Sequence, residues 1–399
     1  MKYLMLLCLM MLGFFATAQQ LAEEKQLVEG PTLSSDEQKL LLMDMGLQME
    51  AANAINDMYN FKFARAEQQF RWIKQKYPHH PLPYFMMGLS QWWKIMPNIE
   101  NERYDAVFTH YMDSTIYFAE RLLAADADNV EARFFLSGAW GFKSRLYSER
   151  KSWRKAASAG KTSLDYLDMK TEKKALSAEF LFGDALYNYY VEWVPENYPL
   201  LKPVLMFFAG GDKKLGIQQL KEVANNAFYT RTEAQYYLMR ILALDENKPY
   251  DALRISEYLH KTYPDNPYFH RYYARMLYTT GQYTKLEITS KSILEKIDSK
   301  MPGYESISGR YAAFYLGQMY DVLNKHADAR KYFLRVIEFA KSTDDLDSGY
   351  MLYSLLALGD MAKDDGDDRQ AKRYYKEVKK LGSRSHSAHE RARSRLKEM

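Results

Sequence analysis

Cysteine is all but missing from this 399-residue chain. The single one, Cys8, lies inside an apolar run near the start, too early and without the small residues that would mark a lipoprotein cleavage site. The residues beyond it can form no disulfide and supply no thiolate chemistry. Charge of one sign is also lacking. The formal net charge is +4, which implies no polyanionic partner such as nucleic acid for the chain as a whole. No stretch shows the strict apolar/polar alternation of a half-buried strand. The one long apolar run, Leu4 to Phe15, is too short to span a bilayer.

What the chain does have is a hydrophobic content of 47% against 27% charged residues, which describes a globular protein. It also has 33 tyrosines, which need a place to go. The first residues read as a secretory signal over residues 1–18. Lys2 is the basic region, Leu4 to Phe15 the apolar core, and Ala16-Thr17-Ala18 the small-x-small cleavage site. Residues 19–35 read as a flexible leader with a Gly30-Pro31 step. The expectation is an exported protein, periplasmic or associated with the outer envelope.

The rest of the chain is organised like the stretch from Leu358 to Tyr375. Leu358-Gly359, a turn at Gly366, then Ala371 and Tyr375 have the offsets of two helices folded back on each other. Gly359 and Ala371 are small where the helices cross, Gly366 frees the turn, and Tyr375 fills the hollow beside the crossing. This resembles the tetratricopeptide repeat, with its W-x2-L-G-x2-Y…A-x3-F…P pattern over about 34 residues. Similar offsets recur at Ala66, Phe70 and Pro78, at Ala252 and Pro264, at Ala274, Gly281 and Tyr283, and at Leu316-Gly317, Tyr320, Ala329 and Phe333. The resemblance implies an all-α fold, a right-handed superhelical α-solenoid of roughly seven or eight helical hairpins.

The expected divisions are irregular repeats over residues 36–197, a loop with a short apolar insert over 198–214, regular repeats over 215–382 and a basic capping helix over 383–399. The first helix is expected from about Ser35 to Tyr59, with Ser34 or Ser35 as its cap. A weaker resemblance covers Phe208 to Lys213, Gly216-Ile217, Leu220, Tyr263-Pro264-Asp265-Asn266 and Ala274-Arg275. These look like the eukaryotic tetratricopeptide family that includes the yeast inclusion-body clearance protein. The leader peptide departs from that family, so its location and role are not carried over.

Motifs for chemistry are incomplete. Ser152 with Lys155 and Ser158 with Lys161 each match Ser-x-x-Lys, but neither Ser-Asp-Asn nor Lys-Thr-Gly accompanies them. The run Asp364 to Asp368 lacks the acid spacing and distal Glu of a calcium loop. His386 and His389 have no third ligand, and Gly210 to Lys214 is not a phosphate loop. No enzyme, no cofactor and no metal is expected. Trp92 and Trp93 read as core, with a glycan or peptidoglycan platform as the alternative. Residues 369–399 hold eleven Lys/Arg against three acids, a net of +8. They read as a solvated cap balanced by the acidic turn before it, with lipid or glycan phosphates or an acidic partner as alternatives.

The resemblance implies that the first helix of each hairpin lines the concave face. Its register places Tyr268, Arg271, Arg275 and Tyr278 inward from one repeat, Tyr311, Phe314 and Gln318 from the next, and Tyr353 from the last. Arg271 and Arg275, four apart, share a helix face. Two guanidinium forks among aromatics suit a carboxylate or phosphate on an extended ligand. The expected partner is a protein or peptide, without nucleic acid and without a transmembrane span.

Overall fold

The computed structural model describes residues 39–167, 177–197, 199 and 210–399. The segments expected to be a leader peptide and a polar stretch after it, and most of the expected 198–214 insert, lie outside the described residues. Among the described residues there are seventeen α-helices and no strand, and the fold is an all-α solenoid. Two compact units divide at Ile241/Leu242.

In the first unit the helices are α1 (Met45–Tyr59), α2 (Phe63–Lys76), α3 (Pro81–Ile95), α4 (Asp105–Ala125), α5 (Val130–Glu149), α6 (Trp153–Asp165), α7 (Leu181–Asn197), α8 (Lys213–Asn226) and most of α9 (Arg231–Leu244). The local signals are side-chain caps. Asp44 accepts the Leu47 amide at 2.8 Å, Asn129 that of Ala132 at 2.8 Å, and Asp212 that of Lys214 at 2.8 Å. The first helix therefore starts ten residues later than expected, at Met45 behind Asp44, after a 3-10 turn over Leu41–Met43. Ala66, Phe70 and Ile73 form the buried stripe of α2, as their spacing predicts. The odd-numbered helices α1, α3, α5 and α7 touch one another in turn and form one layer.

Two buried carboxylates pin irregular backbone in this unit. Glu131 accepts the amides of Leu41 at 3.0 Å and Leu42 at 2.7 Å. Glu179 accepts those of Tyr229 at 2.8 Å and Thr230 at 2.9 Å, and the Thr230 hydroxyl at 2.6 Å. Each satisfies amides that no helix or sheet could.

The second unit holds α10 (Pro249–Thr262), α11 (Pro267–Thr279), α12 (Tyr283–Asp298), α13 (Ser306–Val322), α14 (His326–Ser342), α15 (Gly349–Asp364), α16 (Asp368–Leu381) and α17 (Ser387–Lys397). The hairpin turns after α11, α13 and α15 each place one residue at positive φ: Gly281 at 70°, Asn324 at 57° and Gly366 at 78°. A methyl group built on Gly359 would lie 2.5 Å from the Tyr375 ring, and one on Gly317 2.7 Å from the Phe333 ring. Both pairs are sixteen residues apart, so the close crossing read from Gly359 and Tyr375 repeats one hairpin earlier. Helices α11, α13, α15 and α17 touch in turn, so this unit too has a continuous layer of first helices.

Candidate functional site

Asn266 fixes the start of α11 by accepting the amides of Tyr268 at 3.0 Å and Phe269 at 3.1 Å. That register buries Phe269, Tyr272, Tyr273, Met276 and Leu277. It leaves Tyr268, Arg271, Arg275 and Tyr278 as a half-buried stripe along one side. The neighbouring first helices complete the surface. The Arg271 guanidinium lies 5.0 Å from the Tyr268 ring centre and 5.3 Å from that of Tyr311, and donates to the Ser308 hydroxyl at 3.3 Å. Tyr278 stacks on Tyr315 at 4.7 Å, and Tyr311 meets Tyr350 at 4.5 Å.

Arg275 sits in the middle, 5.7 Å from the Tyr272 ring centre and close to the hydroxyls of Tyr272, Tyr315, Tyr350 and Tyr311. Among the described residues its guanidinium makes no ion pair and no hydrogen bond. The tyrosines resist ionisation. Burial, with Tyr350 beside it, holds Tyr315 well above the usual phenol range, and burial followed by the Tyr311 hydroxyl pushes Tyr350 up to about 12. At neutral pH the cluster therefore offers O–H groups and two cations, Arg271 and Arg275.

Sequence reasoning missed Tyr272, Tyr315 and Tyr350. Tyr272 and Tyr315 lie four residues after Tyr268 and Tyr311, and Tyr350 three before Tyr353, all on the edge between the buried and half-buried faces. The structure does not bring every expected residue into the cluster. Phe314 joins it only as a buried ring, 5.0 Å from Tyr350 and 6.2 Å from Tyr315. Tyr353 pairs instead with His386, 5.6 Å away, and with the Ser387 hydroxyl at the start of α17. Gln318 is half-buried on α13.

Other expected features have structural employment. Trp92 and Trp93 are both 0% exposed, which removes them as a glycan platform. Trp92 packs on Phe108 and Phe142. Trp93 donates its ring N–H to Glu233 at 2.8 Å. His386 caps α17, its Nδ1 accepting the Ala388 amide at 3.1 Å. No group of three or more His, Cys, Asp or Glu is placed to hold a metal among the described residues.

The first unit contains a second arginine among tyrosines, differently employed. Arg145 of α5 donates to the hydroxyls of Tyr236 and Tyr237 of α9, both at 2.9 Å, and lies 4.7 Å from the Trp92 ring centre. Arg240 donates to the same Tyr236 hydroxyl at 2.7 Å. Beside them Glu233 of α9 accepts from Trp93 and, at 3.2 Å, from the Tyr59 hydroxyl. Burial pushes the Glu233 carboxyl above its ordinary range. Helix α9 thus lies across the first-helix layer and ties α1, α3 and α5 together.

Fold and site together define a class, the α-solenoid of helical hairpins with an aromatic and cationic layer of first helices. No protein-family model matches the chain, and no curated protein matches it. Among solved structures it is similar to a human protein described as "Human IFIT1 dimer with PPP-AAAA". The identity is 16%, over 80% of this chain and 68% of that one, with a TM-score of 0.38. At that score the likeness carries no argument about this chain. No helix among the described residues is long and apolar enough to cross a membrane.

Proposed function

We propose that this chain is a non-catalytic binding scaffold of tetratricopeptide type, exported from the cytoplasm, that holds an extended acidic segment of a protein or peptide along α11 and α13. The observation that carries the reading is Arg275. It is a half-buried cation ringed by neutral hydroxyls, with no carboxylate paired to it among the described residues. Partly desolvating a charge without a partner is costly, and a carboxylate on a bound segment would offset that cost with charge-assisted hydrogen bonds. The tyrosine rings on either side supply apolar area with few rotamers to freeze. The N-terminal pattern supports export, with the mature chain beginning at Gln19.

The test is a titration of the mature chain with a library of extended peptides. Peptides containing Asp or Glu should bind, and the same peptides with Asn or Gln should bind at least about tenfold more weakly, the loss expected when a buried charge loses its partner. Equal binding of both sets, or turnover of a small molecule in place of binding, would overturn the reading.

A further inference from the structure

The last two helices described carry a different surface. Helix α16 is amphipathic by construction. It buries Ala371, Tyr375 and Val378, and Tyr375 is anchored by its hydroxyl donating to Asp360 at 2.7 Å. With that face fixed, Lys372, Arg373, Lys376, Lys379 and Lys380 all stand exposed. Helix α17 adds exposed Arg391, Arg393 and Lys397.

The acidic turn does not neutralise this surface by ion pairing. Asp365 pairs with Arg330 of α14, and Asp367 is spent on the Gln370 amide at 2.9 Å. None of the six cations on α16, Arg369 included, is paired with a carboxylate among the described residues.

We propose that the exposed face of α16 and α17 docks the protein on a bilayer rich in anionic phospholipid. Three features favour lipid over other polyanions. The cations lie on long, independent side chains spread over a helix surface, which suits mobile headgroups and does not build a pocket for one anion. No large apolar side chain is exposed beyond Leu334, so binding is adsorption without insertion. The rings beside this face, Tyr353 and Tyr374, are half-buried and do not form the exposed platform on which single-stranded nucleic acid would stack. Clusters of four to eight Lys/Arg are the sequence signature of such docking, each contributing roughly a fivefold gain in partition at low salt.

The test is co-sedimentation of the mature chain with phosphatidylcholine vesicles, with and without phosphatidylglycerol. Binding is expected only to the anionic vesicles, reversed by added salt. A variant with Lys372→Gln, Arg373→Gln, Lys376→Gln, Lys379→Gln and Lys380→Gln should partition at least about 100-fold more weakly, with an unchanged melting curve. A milder Lys376→Gln/Lys380→Gln variant should lose roughly 25-fold. The proposal is overturned by no binding to anionic vesicles at low salt, or by variants that bind like the parent. Preference of the same face for a single-stranded oligonucleotide over the vesicles would overturn it too.

Discussion

The two units place the same chemical group in two situations. Each sets an arginine among tyrosine hydroxyls on its layer of first helices. In the first unit Arg145 spends its N–H groups on Tyr236 and Tyr237, which come from 91 and 92 residues away. In the second unit the tyrosines around Arg275 come from its own helix and the next two first helices, and its guanidinium makes no hydrogen bond among the described residues. A guanidinium that is satisfied internally is a lock. One that is half-buried and unspent has capacity for a ligand. The difference lies in α9, whose Glu233, Tyr236 and Tyr237 take the donors of Tyr59, Trp93 and Arg145 in the first unit.

The sharpest way to break this comparison is to remove each arginine in turn. Arg145→Ala takes the Arg145 donor from the Tyr237 hydroxyl, leaves Tyr236 with Arg240, and unties α5 from α9. It should cost about 2–4 kcal/mol of stability, the order expected when buried hydrogen bonds from a charged donor are lost. Arg275→Ala should cost about 1 kcal/mol or less, since no hydrogen bond of its own is lost. Denaturant unfolding of both variants checks this. Equal costs would mean that Arg275 is as structural as Arg145.

The units should also differ in the sign of their pH dependence. In the second unit His260 and His270 stack at 4.2 Å, and His270 Nδ1 is 2.9 Å from the Tyr304 hydroxyl. Burial first, then Lys296, lowers His260 to about 4; Glu257 opposes and Lys261 reinforces this. Burial, His260 and Lys296 hold His270 well below the usual range. Both are neutral in the fold and would charge more readily when unfolded. Their contribution is therefore full above about pH 6.5 and is lost as the pH falls toward 4, for His260 on the order of 3 kcal/mol. Glu233 in the first unit runs the other way. Its carboxyl is raised by burial, so its contribution is full below the ordinary carboxyl range and is lost as the pH rises through its elevated value. Hydrogen exchange followed by segment against pH should show α10 and α11 loosening in acid while α9 does not. His260→Gln should flatten the acid limb.

A smaller effect tests how tightly the second unit is built. Gly359→Ala forces a methyl group against the Tyr375 ring and should cost about 1–3 kcal/mol, the usual range for overpacking. Gly366→Ala meets no atom but sits at φ 78°, and should cost about 1 kcal/mol from backbone strain alone. Thermal melts rank the two. A harmless Gly359→Ala would mean the hairpins are looser than the crossing implies.

Much of the fold was legible because its signals are local. The Gly359–Tyr375 crossing, the Gly366 turn and the Ala66–Phe70–Ile73 stripe each involve residues on one hairpin. The Arg271–Arg275 stripe was legible for the same reason, since residues four apart on a helix share a face. The closure of the first unit was not. Tyr59, Trp93 and Arg145 meet α9 across 91 to 174 residues, and nothing near any of them in sequence announces the partner. The start of α1 was misplaced because serine caps were read where Asp44 does the capping after a 3-10 turn. Tyr315 and Tyr350 escaped because a residue on the boundary between faces fits core and groove equally well.

The most direct test of the account is one affinity measured against salt. A fluorescent acidic peptide selected on the parent chain is titrated into the parent and into Arg271→Ala/Arg275→Ala at increasing ionic strength. Weakening with salt is expected for the parent; the double variant should bind about 2–4 kcal/mol more weakly at low salt, with an affinity that barely depends on salt, so that the gap narrows as salt rises, and with unfolding nearly unchanged. A double variant that unfolds early yet binds the peptide as tightly as the parent would contradict it.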